Sequence, residues 1–149
     1  MKSKIAVGVL VVFICVCAFI GERMKLYDTI WWWDVMLHAV SGIAAAMVGF
    51  IIAANLGRSV ISPFFAALFA FTFATTIAVT WEIYEFIIDS IRHTNMQRWQ
   101  FMPVPGNIMN YGEGRSPGLI DTMKDLIIGI ASGLLTAVVG YIYLKKIGD

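Results

Sequence analysis

The chain reads as an all-α polytopic membrane protein, a bundle of four transmembrane helices in a single domain, residues 1–149. Three observations predict it. Hydrophobic residues make up 59% of the sequence and charged residues only 14%, with a mean hydropathy of +0.78. Soluble domains run about 45–50% apolar and about 25% charged, so composition excludes an ordinary water-soluble globule. The apolar residues fall into four runs near the ~17–25 residues needed to cross a bilayer, and charged residues collect at the ends of those runs.

The first run, about 5–21, follows Lys2 and Lys4 and is closed by Glu22, Arg23, Met24 and Lys25. A cleavable signal peptide shares the basic start, but no small-x-small site ends this run, so it reads as a retained span. The second, about 31–56, opens on Trp31, Trp32 and Trp33, an interfacial anchor, and closes at Gly57 and Arg58. Ser62 and Pro63 open the third, about 62–89, proline being tolerated in a first helical turn. A long connection, about 92–118, holds Pro103, Pro105, Gly106, Gly112, Gly114, Pro117 and Gly118. That density of breakers predicts irregular backbone, and long loops often serve as lids or binding loops. The fourth run, about 119–144, ends in Tyr141, Tyr143, Lys145 and Lys146 as interface anchors. Phe64, Phe65, Phe69, Phe71 and Phe73 read as lipid-facing or core bulk. Cys15 and Cys17, two apart in one helix, do not face each other, which argues against a disulfide.

Four crossings place both termini on one side. Lys and Arg are nearly balanced between the two sides, so the positive-inside rule has little leverage. The basic start of the first run places the termini in the cytoplasm of a bacterial inner membrane.

Chain parity then brings seven ionisable residues to the opposite surface. Asp34 and His38 enter the second span, Glu82, Glu85 and Asp89 leave the third, and Asp121 and Asp125 enter the fourth. Separations of three or four put Asp34 with His38, Glu82 with Glu85, and Asp121 with Asp125 on shared helix faces. Ionisable side chains near lipid are costly and mark function by default. Three helices each offering such a pair can surround one divalent metal, as in carboxylate centres inside helical bundles. His38, Glu82 and Asp125 are the expected inner ligands, with Glu85 and Asp121 next. Zinc, manganese, iron and magnesium are all compatible with this donor set. Six carboxylates cannot all stay charged in a small, partly desolvated volume without a cation or basic partner. A metal, Lys124, Arg92, Arg98 and Arg115 are the candidates. Asp34, one turn from His38, would orient the imidazole, making the two the expected catalytic pair. Arg115, Arg92 and Lys124 are the expected contacts to an anionic substrate, arginine being well matched to phosphate. The competing reading is a network of salt bridges and helix-end charges, with Glu85 and Asp89 simply solvated.

The net charge of +1 excludes a broad nucleic-acid footprint, and no nucleotide or haem motif is present. The span centres carry no charge, only Ser41, Thr72, Thr75, Thr76, Ser132 and Thr136. Transporters commonly hold their sites near the midplane on broken helices, so ion or proton movement is the third reading. A site at headgroup level fits a metal-dependent hydrolase or transferase acting on a lipid-linked or headgroup phosphate. The second reading is a non-enzymatic membrane factor that contacts lipid or a partner in the cell envelope. Gly129 and Gly133 form a GxxxG pattern suited to close helix packing, within the chain by default or in a homo-oligomer.

The pairs Asp34-x-x-x-His38, Trp81-Glu82-x-x-Glu85 and Asp121-Thr122-x-x-Asp125-Leu126 carry a resemblance. Over about Trp31 to Leu135 the chain resembles the YjdF-like integral membrane proteins of bacteria, a family of unknown function. The same order of Asp/His, Glu and Asp near span ends resembles, more distantly, the VanZ-like proteins, with Glu85 where that pattern has a glutamine. The second resemblance implies a cell-envelope role; neither implies an established reaction.

Overall fold

A computed structural model describes residues 2–56, 61–98 and 116–148. Among these residues five helices follow in order: α1 (Lys2–Arg23), α2 (Leu26–Thr29), α3 (Trp32–Leu56), α4 (Pro63–Arg92) and α5 (Pro117–Gly148). Among the described residues, three of them, α3, α4 and α5, are long and apolar enough to cross a membrane. The run expected as a further crossing, 5–21, lies inside the 22-residue α1, outside these three candidates. The connection expected over 92–118 falls, from 99 to 115, outside the described residues, and Arg115 with it.

Local signals set the helix ends. Ser62 accepts a hydrogen bond from the backbone N–H of Phe65 at 3.2 Å, an N-cap that satisfies one orphan donor ahead of Pro63. At the other end of α4, His93 adopts a left-handed φ of 54° and donates its backbone N–H to the Asp89 carbonyl at 2.9 Å. The helix therefore runs one turn beyond the expected end at 89. Between α1 and α3, Lys25 is left-handed as well, which reverses the chain into the short α2.

Helices α3, α4 and α5 pack mutually, with α3 and α5 parallel and α4 antiparallel to both, while α1 packs on α2 and α3. Their common interior is built from the smallest residues: Gly42, Ala45, Ala46, Gly49 and Ala53 on α3, Ala66, Ala67, Ala70 and Ala74 on α4, and Gly129, Gly133 and Ala137 on α5. Bulk points outward, with Phe64, Phe65, Leu68, Leu134, Leu135 and Val139 all exposed. The arrangement follows from the solvent. In lipid no hydrophobic force drives large apolar side chains inward, and small residues let backbones approach for dispersion contact. Gly42 marks the closest approach: a Cβ there would run into the Gly129 carbonyl and the Ser132 hydroxyl. At Gly49 it would lie 2.7 Å from the Ala70 Cα, and at Gly133 2.9 Å from the Ala74 Cβ. Gly129 and Gly133 thus face α3 and α4 of their own chain. These contacts lock the axial register of the three helices, and the register decides which polar residues meet at the far end.

Candidate metal centre

One period above Gly42 and Gly129 the same interior positions change character. Four residues back along α3 and α5 lie His38 and Asp125, and eight back lie Asp34 and Asp121; Glu82 faces them from α4. The expected convergence of His38, Glu82 and Asp125 is present. His38 Nε2 stands 3.5 Å from Asp34 Oδ1 and 3.9 Å from Asp125 Oδ2, while Nδ1 stands 3.9 Å from Glu82 Oε1. Asp34, His38 and Asp125 each offer one donor atom, all within 4.8 Å of one another, a spacing that can hold a metal ion. Asp34, expected to orient His38 from outside, is therefore part of the ligand-distance group itself.

Burial makes the cluster demanding. Asp125 is 1% exposed, Asp121 2% and Glu82 5%. Among the described residues, neither oxygen of Glu82 or of Asp125 has a hydrogen-bond donor. A buried carboxylate without donors is costly to hold; Asp125 Oδ1 has the Lys124 ammonium nearby as an ion pair at 3.3 Å, while Asp125 Oδ2 and Glu82 Oε1 face the His38 ring, at 3.9 Å each. The internal cations sit on the other side of the group. Lys124 Nζ lies 2.7 Å from Asp121 Oδ1, 3.3 Å from Asp125 Oδ1 and 3.4 Å from Asp34 Oδ2. Arg98 approaches Asp34 and Asp121 through Nε at 4.0 and 3.9 Å. Asp34 is shared between the halves, one oxygen toward His38 and the other toward Lys124 and Arg98.

The remaining expected residues divide by position. Glu85 is buried on the α4 face and accepts a hydrogen bond from Trp81 Nε1 at 2.8 Å. Asp121 is committed to Lys124. Arg92 is exposed in the last turn of α4 and makes no ion pair with the cluster among the described residues. Asp89 is buried, not solvated, and accepts three hydrogen bonds from the segment that follows α4. Two contributors carried no signal in the sequence. Gln97 donates to Thr122 Oγ1 at 2.8 Å, linking the end of α4 to α5. Tyr27, on α2, lies beneath Arg98, whose guanidinium carbon is 6.0 Å from the ring centre. Burial first, then the charges of Asp34, Glu85 and Glu22, push the Tyr27 phenol up to about 12, with Arg98 opposing them. Neither residue has a periodicity or spacing relation to the acidic pairs, so only tertiary proximity reveals them.

No curated protein and no solved structure matches this chain. Residues 3–146 match the family model described as "Predicted membrane protein (DUF2238)"; the YjdF-like resemblance of the Asp/His, Glu and Asp pairs is consistent with it, and the chain belongs to this family of predicted membrane proteins.

Proposed function

We propose that the protein is a metal-dependent membrane enzyme, a hydrolase or transferase, acting on a phosphate at the lipid headgroup level. The single observation that carries this reading is the pair of buried carboxylates, Asp125 and Glu82, without hydrogen-bond donors among the described residues, on either side of His38. A divalent ion held by Asp34, His38 and Asp125 would satisfy the Asp125 oxygen, with Glu82 adjoining. Bound there, it would polarise a phosphoryl oxygen or lower the pKa of a water nucleophile. Lys124, inside the same group, would supply the positive charge that meets an incoming phosphate, a role open to a compact ammonium.

Depth supports the substrate class. From His38 to Leu56, from Glu82 back to Pro63, and from Asp125 to Leu144, each helix runs ~27–29 Å at ~1.5 Å per residue. That is just under a hydrocarbon core of ~30 Å, which puts the centre at the hydrocarbon edge. Trp31, Trp32, Trp81 and Tyr84 are exposed at the same end, as interfacial aromatics are. In this reading α1, 22 residues long, is the fourth crossing. The termini then share the cytoplasmic side of a bacterial inner membrane and the centre faces out.

The test is elemental analysis of detergent-purified protein beside His38→Ala and Asp125→Asn, with phosphate release from a lipid phosphomonoester in mixed micelles as the activity readout. Stoichiometric metal and phosphate release in the wild type, both lost in the variants, is the expected result. Absence of metal from the wild type, or variants that retain both properties, overturns it.

A further inference from the structure

Asp89 is a buried carboxylate outside the centre, 7% exposed and one turn beyond Glu85. Its Oδ1 accepts from the Thr94 hydroxyl at 2.6 Å and the Met96 N–H at 2.8 Å, and its Oδ2 from the Gln97 N–H at 2.9 Å. These bonds fold the chain back over the end of α4, between the left-handed residues His93 (φ 54°) and Arg98 (φ 47°). Gln97 then fastens the turn to Thr122 on α5. Held at both ends, the turn delivers Arg98 to the carboxylates, over Tyr27 and against Asp34 and Asp121.

The consequence is electrostatic. Arg98 and the candidate metal draw on the same carboxylate, Asp34, from its two oxygens. A fixed positive charge so close to a ligand repels a second cation and weakens that ligand's pull on it. We propose that Arg98 is a built-in counter-charge that limits divalent-cation affinity at the Asp34–His38–Asp125 centre, and that Asp89 is the positioning residue that holds it there. This rests on the metal reading above and adds to it a regulator of affinity. Lys124, packed directly on three carboxylates, cannot be withdrawn without opening the cluster. Arg98 makes the looser contacts, 4.0 Å to Asp34 and 3.9 Å to Asp121 against 2.7 Å from Lys124 to Asp121.

The experiment uses the full chain in detergent, stripped with a chelator and titrated with Co²⁺, whose visible bands report the ligand field. Arg98→Ala is expected to bind about tenfold more tightly than the wild type, removal of a nearby unit charge being the cause. Arg98→Lys keeps the charge and is expected to restore affinity, a rescue that a packing role would not produce. Asp89→Asn is expected to shift affinity in the same direction as Arg98→Ala. Unchanged or weaker binding in Arg98→Ala, with the wild type binding normally, overturns the counter-charge and leaves the metal centre standing. No Co²⁺ uptake by either protein overturns both. A double-mutant cycle of Asp89→Asn and Arg98→Ala on the melting temperature of metal-free protein reads the positioning separately. A shift for the pair smaller than the sum supports it, and additivity overturns it.

Discussion

The two ends of the α3–α4–α5 interior are built on the same three helical faces and could hardly differ more in chemistry. From Gly42 to Ala53, with Ala66 to Ala74 and Gly129 to Ala137, the interior holds only small residues in backbone contact. One turn further along, the same faces carry Asp34, His38, Glu82, Asp121 and Asp125, of which Glu82 and Asp125 accept no hydrogen bond among the described residues. The first region earns stability through close dispersion contact and sets the register. The second pays in desolvation for groups that only a charged partner satisfies. The difference teaches a division of labour: the tight half is rigid so that the strained half stays assembled, the usual trade of stability for function at a site.

Four predictions break or sharpen that comparison. The largest effect is expected from Lys124→Met, which leaves Asp34, Asp121 and Asp125 facing one another without the ammonium between them. Breaking a buried ionic group of this kind costs about 3–5 kcal/mol. Thermal unfolding followed by circular dichroism should show the loss in metal-free protein and a smaller one with metal bound.

Gly42→Ala comes next. Its methyl meets a backbone carbonyl that cannot swing aside, so about 1–3 kcal/mol is expected. Because α3 would shift against α5, metal uptake should fall as well. Gly8→Ala in α1 meets nothing within 4 Å and serves as the contrast, neutral or slightly stabilising. Equal effects at the two glycines would remove the tight-half argument.

Glu82→Met should act in the opposite sense on stability. It replaces two donorless buried oxygens with apolar bulk of similar size, so metal-free protein is expected to gain about 1 kcal/mol while metal affinity drops. A destabilised variant would mean that Glu82 is satisfied by something other than a cation.

The smallest signal is a titration. The Tyr27 phenol is raised from 10.0 to about 12, so its stabilising contribution is fully present below pH 10 and is lost as pH rises through about 12. Ultraviolet difference spectra against Tyr27→Phe should place its ionisation there, and Asp34→Asn should bring it down. An ordinary midpoint in the wild type would detach Tyr27 from the cluster.

How far the sequence reaches can be seen residue by residue. The faces shared by Asp34 and His38, and by Asp121 and Asp125, were legible because helical geometry makes residues four apart neighbours whatever surrounds them. The competing reading of a solvated Asp89 fails for a local reason: its donors are the hydroxyl of Thr94 and the backbone N–H groups of Met96 and Gln97, and a backbone donor leaves no trace in side-chain identity. Asp34 moved from orienting His38 to standing among the ligand atoms because the α3–α5 register brings Asp125 to the same imidazole nitrogen. Arg98 was one of several interchangeable basic residues until the turn delivered it and left Arg92 exposed.

What the residues alone determined is one-dimensional: long apolar helices, their approximate ends, and the acidic residues of the spans gathered at one end, since hydropathy and the 3.6-residue period act along a single helix. Which carboxylates share a histidine, which are paired with Lys124 and which go without donors was decided only in the assembled bundle. Those outcomes depend on axial offsets of a few ångströms between helices, fixed where Gly42 meets Gly129 and Gly49 meets Ala70. No local property of the chain encodes an offset between two of its parts.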